Sequence, residues 1–128
     1  MRLLLDTQVV LWALTGSSRL GTLARDLIAD PANEVYVSTA SIWEIAIKHA
    51  LGRGDMPVGG TRAAELCTQA GYRELPVLWR HAALVDTLPP LHGDPFDRIL
   101  VAQAAAEPMR LLSRDASVAS YGAMVMPV

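Results

Sequence analysis

The chain is predicted to fold as an α/β domain, a mostly parallel sheet with helices on both faces. Three observations predict this. Short continuous apolar runs such as Leu3-Leu4-Leu5 read as strands buried on both sides. These runs alternate with segments patterned at helical spacing, as parallel crossovers require. The length, 128 residues, suits one domain.

The first strand is Leu3-Leu4-Leu5. Leu20, Leu23, Ala24, Leu27 and Ile28 mark an amphipathic helix with Arg25, Asp26 and Asp30 opposite, closed at Asp30-Pro31. Val35-Tyr36-Val37 reads as a strand, and Ser38 to Leu51 as a helix stopped by Gly52. Gly52 to Pro57 is a loop by composition. Ala63, Leu66, Cys67 and Ala70 form the stripe of a helix ending at Gly71, which places Cys67 in the core. A strand over Leu75 to Leu78 and a short helix over Trp79 to Asp86 follow, interrupted at Pro89-Pro90. Asp94 to Glu107 is apolar almost all round and therefore central. Leu111-Leu112 is a strand, Asp115 to Tyr121 a short helix and Met124-Val125-Met126 the last strand.

Composition narrows the function. Hydrophobic residues make up 52% and charged residues 19%, which excludes intrinsic disorder. A net charge of −2 argues against an arm that holds nucleic acid by bulk charge. The single cysteine cannot build a disulfide framework or a cysteine-based zinc site. An acid at position 6 breaks any signal-peptide core, and no apolar run approaches the roughly 20 residues of a membrane span. A soluble, cytoplasmic protein is expected.

The acids carry the chemistry. In open parallel sheets, function usually sits at the carboxyl ends of strands; Asp6 directly follows Leu3-Leu4-Leu5 and Asp115 comes just after Leu111-Leu112. Both could simply cap the helices that follow. Glu44 fits a Ser-x-x-Glu capping box with Ser41 and an i+4 pair with Lys48. Asp94 before Pro95 reads as an N-cap, which leaves Asp97 in the first turn. Yet Glu44 and Asp97 lie on apolar helices, where an unpaired charge costs several kcal/mol or more. Lys48 is the only lysine and the arginines are scattered, so a divalent cation is the economical partner. Oxygen ligands point to Mg²⁺ or Mn²⁺. His49, His81 and His92 show no ligand spacing and are read as surface or core residues.

These segments together resemble a PIN-domain ribonuclease, specifically the VapC-type toxins of bacterial toxin–antitoxin pairs. The matching residues are Leu4-Leu5-Asp6-Thr7 with Leu11-Trp12, and Ser41 to Lys48 with Gly52. His92-Gly93-Asp94-Pro95-Phe96-Asp97-Arg98 and Leu112-Ser113-Arg114-Asp115 with Tyr121 complete the set. The resemblance covers the whole chain, residues 1–128, as a single PIN domain. It implies a PIN-like three-layer fold with a five-stranded sheet. It makes Asp6, Glu44 and Asp97 the principal metal-site acids and Asp115 the fourth, more variable one. Thr7 and Ser113 become supporting hydroxyls. Val118 stands where the family often has an aromatic and Gly93 where it often has a basic residue, departures that leave the metal site alone. The resemblance further implies Mg²⁺-dependent endoribonuclease activity, a homodimer, and silencing by a co-expressed VapB-like antitoxin.

The expected mechanism is in-line attack on phosphorus by a metal-activated water, leaving a 5′-phosphate and a 3′-hydroxyl. Arg98 and Arg114, beside site acids, are candidate phosphate contacts, with salt bridges to those acids as the alternative. The apolar helix pair from Ser38 to Gly71 is expected to form a groove for an amphipathic antitoxin segment. A phosphoacceptor receiver domain would need paired acids after the first strand and a late lysine, which this chain lacks. The other reading is a catalytically silent PIN module acting through protein or RNA binding; the intact set of four acids speaks against it.

Overall fold

The computed structural model describes residues 1–52 and 56–128. Five strands form one sheet: β1 (Arg2–Leu5), β2 (Glu34–Ser38), β3 (Arg73–Leu75), β4 (Arg110–Ser113) and β5 (Val125–Pro127). They pair parallel throughout, in the order β3-β2-β1-β4-β5. Helices α1 (Thr7–Thr15) and α2 (Thr22–Ala29) join β1 to β2, and α3 (Thr39–Ala50) and α4 (Gly60–Ala70) join β2 to β3. Helix α5 (Trp79–Leu84), a 3₁₀ turn at Val85–Thr87 and α6 (Pro95–Ala106) lead to β4, and α7 (Ala116–Ala119) leads to β5.

The period-two alternation of a strand sorts the leucines between two cores. Leu3, Leu5 and Leu112 pack with Val9, Val10 and Ala24 on one face. Leu4 and Leu111 pack with Leu100, Val101 and Ala104 of α6 on the other. All five strand leucines are fully buried. The three layers expected from the sequence are therefore built by the two short leucine runs at the centre of the sheet.

The two edge strands depart from the sequence reading. The third strand comes earlier than expected, at Arg73–Leu75 rather than Leu75 to Leu78. Pro76 lacks the N–H that a ladder needs, and an edge strand can carry the exposed Arg73 and Glu74 without an apolar signature. The last strand is one residue later, at Val125–Pro127. The loop expected over Gly52 to Pro57 includes residues 53–55, which lie outside the described residues. Among the described residues, no helix is long and apolar enough to cross a membrane.

Strand order locates the site. From β1 the chain steps outward through β2 to β3, then returns to the opposite side of β1 for β4 and β5. The reversal lies between β1 and β4, and a crevice opens beyond the carboxyl ends of strands at such a point. Asp6 follows β1 and Asp115 lies just past β4.

Candidate functional site

A cleft of about 410 Å³ opens at that point, lined by Asp6, Glu44, Asp97 and Asp115. All four sequence-predicted acids thus converge, from β1, α3, α6 and the β4–α7 junction. Capping does not take these carboxylates out of the cleft. Asp6 Oδ1 accepts the Val9 N–H at 2.9 Å and Asp115 Oδ1 accepts the Ser117 N–H at 2.8 Å. Asp94 is the N-cap of α6, accepting from the N–H groups of Phe96 and Asp97 at 2.8 and 3.1 Å. The capping-box reading of Glu44 fails, because α3 starts earlier, with Ser38 as its N-cap. Ser41 and Glu44 are instead buried side chains inside the helix.

Hydroxyls and one ammonium orient these acids. The Thr7 hydroxyl donates to Glu44 Oε1 at 2.7 Å and lies 3.1 Å from Ser41 Oγ. Lys48 Nζ pairs with Glu44 Oε2 at 2.6 Å, the expected i+4 contact. Ser113 Oγ accepts the Asp115 N–H at 3.0 Å, and its hydroxyl also bonds Asp6. Burial pushes the Asp6 carboxyl up to about 6; the Ser113 and Val9 bonds pull the other way, and the nearby Asp97 and Asp115 charges add to the rise. Burial likewise raises Asp97, partly offset by a hydrogen bond to His92, with Asp94 and Glu44 adding repulsion.

The two arginines separate. Arg114 lines the cleft, with its guanidinium 5.4 Å from the Trp12 ring centroid and donating to the Arg19 carbonyl. Arg98 does not line it; its guanidinium donates to the carbonyls of Val85, Pro89 and His92 and to the Tyr121 hydroxyl. His92 corrects the sequence reading, since its Nε2 lies 2.8 Å from Asp97 Oδ2. No spacing rule signals that contact, but the Asp94-Pro95 helix start, which turns the chain just ahead of Asp97, is the feature from which it could have been sought. His81 is a fully buried core histidine, as read. Gln8 and Met56 also line the cleft and carried no sequence signal.

Residues 3–123 match the PIN domain family. The chain belongs to that family. Its fold is similar to that of VapBC2 from Rickettsia felis, in a crystal structure bound to a DNA fragment from the promoter. The TM-score there is 0.71 at 10% identity, covering 100% of this chain and 98% of that one. It is also similar to FitAcB from Neisseria gonorrhoeae, with a TM-score of 0.62 at 20% identity, covering 93% of this chain and 91% of that one. At such identities the likeness is one of fold. No curated protein matches the chain in sequence.

In this PIN domain the donor set fits a hard divalent cation. Among the described residues, five carboxylates (Asp6, Glu44, Asp94, Asp97 and Asp115) line the cleft with two cationic side chains, Lys48 and Arg114. Lys48 answers Glu44, while Asp6 feels both Asp97 and Asp115 as like charges. Crowded oxygen donors with residual repulsion are the surroundings that Mg²⁺ or Mn²⁺ favours over softer metals.

Proposed function

We propose that this PIN domain is a metal-dependent endoribonuclease of the VapC type, hydrolysing RNA phosphodiester bonds. The single observation that carries the reading is the convergence of Asp6, Glu44, Asp97 and Asp115 on one cleft at the topological switch point. Those four would hold Mg²⁺, or Mn²⁺ in its place. When bound, such an ion supplies charge neutralisation at the phosphate and a more acidic water.

The chain's own groups do the rest. Thr7 and Ser113 fix the carboxylates of Glu44 and Asp6, so that few rotamers need ordering when substrate arrives. Arg114 at the cleft wall offers a phosphate contact, and Trp12 beside it an aromatic face for a base. Arg98 serves structure rather than substrate in this reading, since its donors are engaged with the loop over residues 85–92.

The partner reading is a VapB-like antitoxin. The expected groove has a counterpart where α3, α4 and the sheet edge enclose a cavity of about 220 Å³, lined by Val37, Ile42, Cys67 and Tyr72 among others. An amphipathic segment would seat there, and a basic side chain of the same partner near Asp6 and Asp97 would displace metal. A homodimer completes the assembly, through the apolar face around Trp43 and Phe96.

The deciding experiment incubates purified, antitoxin-free protein with mixed cellular RNA, with and without Mg²⁺. Metal-dependent cleavage, lost in Asp97→Asn, is expected. Absence of cleavage across RNA types favours a PIN module that acts only by binding.

A further inference from the structure

We propose that His92 is a positioning residue that sets the rotamer of Asp97. The inference rests on the metal-site reading above and deepens it. The imidazole Nε2 lies 2.8 Å from Asp97 Oδ2, and the two side chains are only 22% and 20% exposed. Asp97 lines the cleft whereas His92 does not, so the imidazole holds the carboxylate from outside the cleft. Asp94 cannot substitute. It bonds the Asp97 backbone N–H, which fixes the helix start and leaves the side-chain rotamer to His92.

His92 lies in an irregular stretch between the 3₁₀ turn and α6, so something must hold it in place. Arg98, one residue beyond Asp97, does so. Its Nη1 donates to the Pro89 carbonyl at 3.1 Å and to the His92 carbonyl at 3.4 Å, and its Nη2 to the Val85 carbonyl at 3.2 Å. Arg98 also donates to the Tyr121 hydroxyl at 2.8 Å, which in turn donates to the His92 carbonyl at 3.4 Å. The first turn of α6 thus fastens the loop, and the loop returns an imidazole to that same turn. Fixing one oxygen of a carboxylate fixes where the other points. Groups that orient metal-binding carboxylates in this way typically change metal affinity by 10–100-fold when removed.

The test measures Mn²⁺ binding by calorimetry, and the thermal midpoint in chelator, for the full chain and for Asp97→Asn, His92→Ala and His92→Gln. Wild type is expected to bind Mn²⁺ and Asp97→Asn to lose most of that binding. His92→Ala should bind about 10–100-fold more weakly with its chelator midpoint near wild type. His92→Gln, which keeps an N–H donor at similar reach, should recover most of the affinity. The positioning role is overturned, with the metal site left standing, if His92→Ala binds as tightly as wild type or if Ala and Gln are equally impaired. A wild type that binds no Mn²⁺, or an Asp97→Asn that binds as well as wild type, overturns the metal-site reading and this proposal together.

Discussion

Asp6 serves two roles with one carboxylate, capping α1 through Oδ1 while lining the cleft. Its pKa, ordinarily 3.8, is pushed up to about 6, chiefly by burial. In metal-free protein the folded state therefore keeps a proton between those two values that the unfolded chain has released. Stability from this group is complete below the ordinary value and is lost as pH rises through the folded one. A rise of this size corresponds to on the order of 3 kcal/mol. Asp6→Asn keeps the cap, so in chelator it should be more stable than wild type near pH 7.5 and differ little near pH 4. Urea melts at both pH values measure this, and a gap between the two proteins that does not change with pH would count against a perturbed carboxyl. Saturating Mg²⁺ should raise the wild-type melting temperature, by about 2.7 kcal/mol of stability at a hundredfold excess over Kd. Asp97→Asn should gain much less, and equal gains in the two proteins would remove Asp97 from the metal site. At this scale the sequence was informative where an acid stands at or just past the end of a buried run, as with Asp6 and Asp115. It was silent on His92, because that contact depends on the path of a loop and not on any periodicity.

Elements were legible wherever burial imposes a pattern. The stripe of α4 ends where it should, with Gly71 at φ 80° closing the helix in the left-handed region that suits glycine. The edge strand β3 was misplaced because an exposed edge needs backbone pairing only, and Arg73 and Glu74 give no apolar signal. Helix α3 was placed correctly, but its cap was not, since both Ser38 and Ser41 precede apolar residues and only the former leads the helix. The packing of α4 on α3 yields a sharper test. A Cβ on Gly60 would lie 2.8 Å from the Cβ of Ala46, whereas one on Gly21 would meet nothing within 4 Å. Gly60→Ala must push the two helices apart and should cost about 1–3 kcal/mol, while Gly21→Ala meets no neighbour and should cost only the N-cap preference of Gly over Ala, about 0.5–1 kcal/mol. Denaturant midpoints of both variants check this, and equal costs would refute the close approach. On the core side of α4, burial pushes the Cys67 thiol up to about 11. Iodoacetamide should therefore label the native protein far more slowly than the unfolded chain, and comparable rates would argue against a core position.

At the scale of the whole molecule, the sheet order and the cleft follow from two leucine runs and the crossovers between them, but the surfaces that meet partners do not. The sequence signalled excess hydrophobicity, with a mean hydropathy of +0.27, and directed it to the helix pair from Ser38 to Gly71. Much of it emerges on one face. Trp43 is 63% exposed and stacks edge-on against Phe96, with ring centroids 5.3 Å apart. Val77, Pro95 and Ile99 join them around a hollow of about 510 Å³ that, among the described residues, no charged side chain lines. Leu78 and Trp79 extend the exposed apolar surface just beyond Val77. An uncharged patch of this kind suits its own copy, because a two-fold axis places the same surface on both sides and no charge has to find an opposite. The antitoxin groove proposed above differs in having Arg73 and Glu74 at its rim, charges that a separate partner could answer. Trp43 and Phe96 adjoin Glu44 and Asp97 in sequence, so a second copy on this face would brace the two helices that carry those acids. Sedimentation velocity should find the wild type dimeric at micromolar concentration. Trp43→Glu should shift it to monomer while leaving the circular dichroism spectrum unchanged, since Trp43 is largely solvent-exposed within the monomer. A monomeric wild type, or a Trp43→Glu variant that remains dimeric, would rule out this face as the contact.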